Sequence, residues 1–255
     1  MPVEPLLPDP LLPDPLLPDE ERKRLVAQFA EIAALAGGLA HEIKNPLSTI
    51  SLNLELLIED VSEGDSPRDR RILKKLLSLQ QECRRMGRVL EDFLKYARAG
   101  EPELVPSDLN QVVREFLEFY QPEASANGIE ISPHLAADLP EVRLDAGLFR
   151  QVLLNLALNA QQAMPRGGIV EIQTRHRDGR VELEMIDNGC GMDEKTLSRI
   201  FEVFYSTKPA GSGLGLATVK RIVEVHDGRM LVDSAPGRGT QFTISLPPAH
   251  SSPPP

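Results

Sequence analysis

The first strong hydrophobic pattern in the chain predicts two long helices joined by a short turn. Between residues 25 and 61, apolar side chains recur at alternating steps of three and four residues, which is the spacing of one face of a coiled-coil-like helix. The polar sequence Gly-Asp-Ser-Pro at residues 64–67 interrupts this pattern. A second apolar stripe, with strict four-three alternation, follows over residues 72–97. The two stripes predict a helical hairpin within residues 21–100.

An isolated hairpin of this kind leaves much of its apolar surface in water. Each helix contacts its neighbour on one side only, so the remaining apolar positions stay exposed. Pairing two hairpins into a four-helix bundle completes the core. We therefore expect a homodimer built on residues 21–100.

The pattern changes after residues 100–106, which we interpret as a domain junction. Beyond it, hydrophobic runs of helical and of strand period alternate along the chain. Ser107 or Asp108 is the expected cap of the first helix in this part. Helices are expected over residues 108–126, 147–164 and 214–226, and strands over 129–132, 141–144, 169–174, 181–186, 229–234 and 241–246. The alternation predicts an α/β domain over residues 104–247.

Proline-rich segments lie at both ends of the sequence. Residues 5–19 contain three copies of Pro-Leu-Leu-Pro-Asp. Proline at this density disfavours helix and sheet, so we predict a disordered, extended leader over residues 1–20. A docking peptide for a partner is the alternative interpretation of the repeat. Residues 248–255 are also rich in proline and are predicted to be a tail.

The charge balance argues against two classes of function. The chain has 255 residues, with 28 Lys and Arg against 38 Asp and Glu, which gives a formal net charge of −10. A nucleic-acid binder or a polybasic membrane anchor needs a concentrated positive face, which this balance does not favour. No apolar run approaches the roughly 20 residues of a membrane span, and no signal peptide is evident. Cys83 and Cys190 have neither metal-ligand nor disulfide spacing, so we expect a protein of the reducing cytoplasm.

Two asparagines in the helix predicted at 147–164 are the first candidate chemical group. Asn155 and Asn159 are four residues apart, so their carboxamides lie on one helical face. A carboxamide oxygen can ligate Mg²⁺, and its NH₂ group can donate to a phosphate. Capping or bridging of neighbouring elements is the alternative role for this pair.

A second candidate group follows the strand predicted at 181–186. Asp187, Gly189 and Gly191 lie in the sequence Asp-Asn-Gly-Cys-Gly-Met. A carboxylate at a strand end can accept from an exocyclic amine such as that of adenine, and glycines admit close approach of a flat ligand. Asp-Asn-Gly alone is also an ordinary turn sequence.

Two more candidate groups come next along the chain. The third is the aromatic segment 201–205 followed by Lys208, and the fourth is a glycine segment made of Gly211, Gly213 and Gly215. Backbone N–H groups at a helix start, beside glycines, can bind an anion. The glycine segment is not a dinucleotide-binding fingerprint, because Leu216 stands where the last glycine should be, and no Gly-Lys-Ser/Thr follows as in a Walker loop. The alternative interpretation of residues 201–205 is a loop that is anchored by aromatic side chains in the core.

The order of these four groups resembles the N, G1, F and G2 boxes of the GHKL ATPases in their histidine-kinase form. The resemblance covers about residues 104–247 and implies a Bergerat-fold α/β sandwich that binds ATP and Mg²⁺. It implies that Asp187 receives the adenine amine and that Gly189 and Gly191 shape the adenine pocket. Thr240, in a Gly-Thr pair, matches the family residue beside that carboxylate.

The resemblance also assigns the phosphate end of the site. It implies that Asn159, with Asn155, holds Mg²⁺ and phosphate, and that Asn159 is the metal ligand. Lys208 and the glycines would close on the phosphates, namely Gly211, Gly213 and Gly215. The short lid between Lys208 and Gly211 resembles nitrogen-regulation-type sensor kinases, and Val203 stands where the family often has proline.

The sequence Leu-Ala-His-Glu-Ile-Lys-Asn-Pro-Leu-Ser at residues 39–48 resembles the H box, the phospho-acceptor motif of histidine kinases. His41 lies two residues from stripe positions on either side, so periodicity places its side chain off the buried stripe and facing solvent. The resemblance implies that His41 accepts the γ-phosphoryl group and that Glu42 holds the other ring N–H. It further implies that Asn45 places the water that dephosphorylates a partner's phospho-aspartate.

Together these observations predict an α plus α/β protein, in which a helical hairpin that forms a dimeric four-helix bundle is followed by a Bergerat-fold ATP-binding domain. The implied function is an ATP-dependent histidine kinase of a two-component system, with an aspartate of a separate response regulator as the next acceptor. Two alternatives are a degenerate nucleotide-binding scaffold without phosphotransfer and a chaperone- or mismatch-repair-type ATPase on the same fold.

Overall fold

The computed structural model describes residues 42–62, 64, 66–98, 102–208 and 211–249. The predicted leader, the predicted tail, the first part of the first apolar stripe and His41 lie outside the described residues. The helices are α1 (residues 42–62), α2 (Pro67–Arg98), α3 (Leu109–Ala126), α4 (Ala146–Ala163), α5 (Glu194–Leu197) and α6 (Gly215–Val225). The strands are β1 (Val105–Ser107), β2 (Ile129–Leu135), β3 (Val142–Leu144), β4 (Gly168–Arg177), β5 (Arg180–Asp187), β6 (Arg229–Ser234) and β7 (Thr240–Leu246).

Helices α1 and α2 form the hairpin that the two apolar stripes predict. At the start of α2 the Ser66 hydroxyl accepts from the Asp69 N–H at 3.1 Å, and the Asp69 carboxylate accepts from the Ser66 N–H at 3.2 Å. This reciprocal capping, with Pro67 as the first helical residue, satisfies amide groups that a helix start leaves without partners. Near the other end of the hairpin, the Lys44 ammonium on α1 lies 3.3 Å from the Glu91 carboxylate on α2. These two residues therefore lie beside each other across the hairpin.

The apolar stripes of the hairpin divide between an inner and an outer face. Leu54 is buried with 7% of its surface exposed, whereas about half of the surface of several other stripe residues is exposed. We call these outward residues the exposed apolar band: Ile50 and Leu57 on α1, and Leu79 and Met86 on α2. Within the described residues, no helix is both long enough and apolar enough to cross a bilayer.

The second part of the chain forms a mixed five-stranded sheet covered by helices. Its strand order is β2-β4-β5-β7-β6, with β2 parallel to β4 and the other neighbours antiparallel. β1 and β3 form a separate two-stranded antiparallel sheet. The α/β sandwich expected after the hairpin is thereby confirmed.

Four elements differ clearly from the prediction made from the pattern, and one is β4, which continues three residues beyond the predicted strand 169–174, to Arg177. β1 partly occupies the predicted junction at 100–106, because three residues are too few to show a period and the strand is set by pairing with β3. β2 continues three residues beyond the predicted strand 129–132, since β4 offers partners along its whole length and the edge position tolerates Pro133. The single-turn helix α5 was not predicted, and it depends on the Asp193 carboxylate, which accepts from the Thr196 N–H at 2.8 Å.

The core lies between one face of the sheet and the helix layer. Alternate residues of β5 and β7 point into it, and α4 contributes four large apolar side chains that are almost completely buried: Phe149, Val152, Leu153 and Leu156. Burial of a side chain of this size contributes roughly 1.5–3 kcal/mol. Helix α4 is therefore firmly held on its apolar side, while its more polar side carries Asn155 and Asn159.

His226 connects the end of α6 with the start of α4. Its ring is 2% exposed; Nε2 accepts from the Asp145 N–H at 2.9 Å, and Nδ1 lies 2.6 Å from the Ile222 carbonyl oxygen. Because a carbonyl oxygen can only accept, Nδ1 carries the proton and the ring is neutral. Burial lowers the pKa of His226, which favours this neutral form.

We expect the α/β domain to lose stability as the pH falls below about 6.5, the ordinary pKa of histidine. The unfolded chain then binds a proton that native His226 cannot bind without losing its acceptor nitrogen. The free energy of unfolding should fall by up to about 1.4 kcal/mol per pH unit. Thermal unfolding between about pH 7.5 and 5.5 measures the effect.

Two variants separate this histidine from the others. His226→Gln removes the titrating ring and should flatten the pH dependence, at some cost in stability at neutral pH. His176 is exposed, so His176→Gln should keep the parental dependence. Parental pH dependence in His226→Gln would contradict the role given to the buried ring.

Candidate functional site

A buried carboxylate lies at the end of the central strand β5. Asp187 is the last residue of β5 and lies directly opposite Thr240, the first residue of β7. Each of these two residues exposes only 6% of its surface. The Asp187 carboxylate accepts from the Gly189 N–H at 2.9 Å, so one of its oxygens is oriented by the backbone.

The environment of Asp187 changes its ionisation. Burial raises the pKa of Asp187, whereas the backbone N–H groups of Gly189 and Thr240 and the charge of Lys208 act to lower it. A buried carboxylate is costly unless hydrogen bonds satisfy it. The site therefore favours a ligand that donates a hydrogen bond to Asp187 while excluding water.

Two glycines allow the backbone to close around this carboxylate. Gly191 (φ +64°) and Gly239 (φ +78°) lie in the left-handed region. A Cβ on Gly191 would collide with a backbone carbonyl of the loop between β6 and β7, and a Cβ on Gly239 would collide with the Asp187 carbonyl. The Gly237 N–H also donates to the Cys190 carbonyl at 2.7 Å, which fastens that loop to the Asp-Asn-Gly-Cys-Gly segment.

The two predicted α4 amides lie beside the lysine and the start of α6. The Asn155 amide donates to the Gly215 carbonyl at 3.4 Å, and the Lys208 ammonium donates to the Asn159 carboxamide oxygen at 3.4 Å. The structure therefore brings together four residues that the sequence analysis placed at the phosphate end of the site.

Gln162 is a further residue of this group, and the sequence analysis missed it. Its carboxamide oxygen accepts from the Lys208 ammonium at 2.5 Å. Gln162 lies three residues after Asn159 and seven after Asn155, so all three amides share one helical face. A search for polar side chains one helical turn beyond the two asparagines would have identified Gln162. We refer to Asn155, Asn159 and Gln162 as the α4 amide row.

Lys208 is held close to neutral acceptors in a partly buried position. Burial lowers the pKa of Lys208, while Cys190 and Asp187 act to raise it. The backbone N–H of Lys208 donates to the Ser206 hydroxyl at 3.1 Å, and the backbone N–H of Gly211 donates to the Lys208 carbonyl at 3.2 Å. A cation whose side-chain partners are amides rather than carboxylates is suited to bind an anionic ligand.

The loop before α6 contains two residues in left-handed backbone conformation. Phe204 has φ +66° and Gly213 has φ +69°, and the Phe204 N–H donates to the Gly213 carbonyl at 3.1 Å. A Cβ on Gly213 would lie 2.7 Å from the Tyr205 nitrogen, so only glycine fits there. Gly215 then begins α6, which places the positive end of that helix dipole next to the α4 amide row.

The described part of the predicted phospho-acceptor motif, residues 42–48, lies on α1. Glu42 and Asn45 are exposed residues of α1. The chemical roles predicted for Glu42 and Asn45 depend on His41, which lies outside the described residues.

The oxygen donors present suit a magnesium ion that is held jointly with a substrate. Among the described residues, no group of three or more His, Cys, Asp or Glu side chains could hold a metal ion. Mg²⁺ is commonly bound by one or two protein oxygens together with substrate phosphates and water. The Asn159 carboxamide oxygen, 3.4 Å from the Lys208 ammonium, fits the role of such a single protein donor.

Two protein families match successive parts of the chain. Residues 31–102 match the His Kinase A (phospho-acceptor) domain. Residues 144–250 match the histidine kinase-, DNA gyrase B- and HSP90-like ATPase family. The first match covers most of the hairpin, and the second covers the strands and helices that carry the buried carboxylate and the α4 amide row.

The curated relatives are sensor kinases that are much longer than this chain. The sensor histidine kinase ZraS of Klebsiella oxytoca is 36% identical over 227 residues, which is 89% of this chain and 47% of that protein. The signal transduction histidine-protein kinase AtoS of Escherichia coli (strain K12) is 33% identical over 232 residues, 89% of this chain and 37% of that protein. The chain thus spans less than half the length of these relatives.

Two solved structures also match the chain. Full-length ShkA in complex with AMPPNP is 30% identical, with a TM-score of 0.65 over 87% of this chain and 47% of that chain. The mycobacterial sensor histidine kinase MprB is 33% identical, with a TM-score of 0.51 over 57% of this chain and 97% of that chain. With a phospho-acceptor hairpin followed by an ATPase sandwich, the chain belongs to the sensor histidine kinase family.

Proposed function

We propose that the chain is an ATP-dependent histidine kinase that phosphorylates its own His41 and passes the phosphoryl group to an aspartate of a separate response regulator. The observation that carries the proposal is the convergence of a buried carboxylate, Asp187, and a cation set among amides, Lys208, in a chain that also has the phospho-acceptor motif.

The adenine end of the site is the region around Asp187. Its carboxylate is buried and oriented by the Gly189 N–H, and Thr240 lies beside it on the neighbouring strand. An exocyclic amine is the donor that such an acceptor needs. At Gly191 the backbone packs against the loop between β6 and β7 and carries no side chain, which suits contact with a flat purine.

The phosphate end is the region where Lys208 meets the α4 amide row. The ammonium of Lys208 supplies positive charge, and the glycine segment at the start of α6 supplies backbone N–H groups and the helix dipole. Asn159, assisted by Asn155, would hold Mg²⁺. When bound, that ion neutralises charge on the phosphates. Lys208 would exchange its amide partners for phosphate oxygens, which are stronger acceptors.

The transfer itself requires an unprotonated imidazole nitrogen. Near neutral pH an ordinary histidine is largely neutral, so one ring nitrogen of His41 can attack the γ-phosphorus in line. The bond from that phosphorus to the bridging oxygen breaks, and ADP leaves. Glu42 would accept a hydrogen bond from the other ring N–H and stabilise the positive charge that develops there.

A homodimer is the proposed assembly. The exposed apolar band leaves about half the surface of Ile50, Leu57, Leu79 and Met86 in water. These residues recur seven apart on each helix, which is the spacing of a helix–helix contact. A second hairpin packed on this band would complete a four-helix bundle.

The phosphorylation proposal is tested with His41→Gln and Asp187→Asn. With γ-³²P-ATP, we expect His41→Gln to bind nucleotide normally and to incorporate no label. Asp187→Asn replaces one acceptor oxygen with a donor, so its affinity for ATP should fall by about tenfold or more. Undiminished labelling of His41→Gln would refute the phospho-acceptor assignment. Nucleotide binding by the parent without any labelling would favour the scaffold alternative.

The assembly is tested by mass in solution. Light scattering at micromolar concentration should give twice the chain mass of 28.1 kDa. The double variant Ile50→Glu, Leu57→Glu puts charges into the band and should be monomeric. Ser48 is an exposed residue on another side of α1, so Ser48→Glu should remain dimeric. A monomeric parent would contradict the dimer.

A phosphatase role for Asn45 is tested separately. Asn45 lies one turn after His41, where its amide can place a water against a partner's phospho-aspartate. We expect Asn45→Ala to slow dephosphorylation of the regulator by on the order of tenfold or more, while labelling of His41 persists. Asn53→Ala, on the same helix, is the matched control. Dephosphorylation by Asn45→Ala at the parental rate would remove this role.

A further inference from the structure

Three polar side chains form a row across the end of the central strands. Asp187, the last residue of β5, lies opposite Thr240 on β7, and Thr240 in turn lies opposite Ser234, the last residue of β6. Residues that face each other in an antiparallel sheet point to the same side of it. Met185 and Phe242, two residues further along their strands, are core residues, so the row lies on the helix-covered face. We call Asp187, Thr240 and Ser234 the polar row.

Ser234 joins three segments of the site through one hydroxyl group. Its Oγ donates to the Gly239 carbonyl at 2.9 Å and accepts from the Met192 N–H at 2.9 Å. The same atom lies 3.1 Å from the Thr240 Oγ1. A serine hydroxyl has one proton and two lone pairs, so these three contacts use all of its hydrogen-bonding capacity.

The directions of these hydrogen bonds determine the direction of the Thr240 hydroxyl. A carbonyl oxygen can only accept, so the Ser234 proton is directed to Gly239. The Met192 N–H can only donate, so it occupies one lone pair of Ser234. In the remaining contact, the Thr240 hydroxyl therefore donates to Ser234. Because this bond uses the only proton of that hydroxyl, Thr240 can only accept a hydrogen bond from a ligand.

Two neighbouring acceptors therefore lie at this end of the site. Asp187 and Thr240 are directly paired on adjacent strands, and each exposes only 6% of its surface. When a ligand acceptor faces a buried protein acceptor, both lack a donor, which is costly. A purine with an amino group at carbon 6 offers N–H donors there, whereas a 6-oxo purine offers lone pairs.

We propose that Ser234 is a positioning residue that sets the preference of the site for 6-amino over 6-oxo purine nucleotides. It acts through Thr240, whose hydroxyl it holds as an acceptor beside Asp187. Without the Ser234 hydroxyl, the Thr240 hydroxyl is free to turn and donate to a 6-oxo group. Selectivity is a difference between two affinities, and this turn lowers one while it raises the other. The inference rests on the proposed ATP site.

The test compares the affinities of the whole chain for ATP and for ITP, which carries an oxo group in place of the amine. Calorimetry in EDTA measures binding without phosphoryl transfer. The parent should bind ATP more tightly than ITP. In Ser234→Ala the ratio of the two affinities should fall by about fivefold or more, because ITP gains relative to ATP. A merely structural role for Ser234 would weaken both nucleotides equally and leave the ratio unchanged.

Two variants are controls for this change. Ser234→Thr keeps a hydroxyl on Cβ and should keep the parental ratio. Ser198 is an exposed residue at the end of α5. Ser198→Ala makes the same chemical change away from the polar row, so its ratio should also be parental.

A double-mutant cycle tests whether Ser234 acts through Thr240. Thr240→Val keeps the branched shape of the side chain and removes the hydroxyl, so the ratio should fall in this variant as well. Adding Ser234→Ala to Thr240→Val should then lower the ratio no further. A further fall in the double variant would show that Ser234 acts by another route and would overturn the inference.

Ser234→Cys is a second variant in case Ser234→Ala fails to fold. Its thiol fills similar space with a weak hydrogen-bonding group, so it should lower the ratio in the same direction. A parental ratio in the folded Ser234 variants that lack a hydroxyl, or equal affinities of the parent for ATP and ITP, would overturn the inference while leaving the nucleotide site in place. A parent chain that binds neither nucleotide would instead overturn the proposed function.

Discussion

The placement of one carboxylate away from water governs the geometry of the site. Asp187 ends β5 inside the protein, where a carboxylate is tolerated only if donors are supplied at fixed positions. The register with β7 brings Thr240 beside it, and the left-handed glycines at 191 and 239 let the following backbone turn close around it. The sheet register and the turn geometry therefore both serve to place backbone around this buried carboxylate. The same carboxylate selects ligands that donate a hydrogen bond to it.

Much of the fold could be predicted because long elements repeat a period. Helices α3, α4 and α6 and most of the strands β4 to β7 appear as apolar patterns in the local sequence. β1 and α5 escape such patterns, since three or four residues show no period and pairing or capping partners elsewhere decide them. For Gln162, local spacing places its amide on the same helical face as the two asparagines, but its contact with Lys208 could not be predicted, since Lys208 is 46 residues away in sequence.

The hairpin illustrates what an alternation of three and four residues cannot determine. The same stripe includes buried Leu54 and exposed Leu57, and the pattern does not state which face meets the partner helix. The pattern also does not determine the contacts of Tyr96, because nothing in the local sequence indicates which surface an aromatic residue near a helix end will cover. Only the position of the ATPase domain shows that this ring contacts Leu214 and Ala217.

The brevity of the chain between Lys208 and Gly211 has an entropic consequence. Two residues separate them in the sequence, and the Gly211 N–H donates to the Lys208 carbonyl at 3.2 Å. The free energy of closing a flexible loop rises slowly with its length, by roughly 0.6 kcal/mol for each doubling. Insertions between Lys208 and Gly211 would therefore lower the affinity of the proposed site for a triphosphate in small steps, with the contacting side chains unchanged.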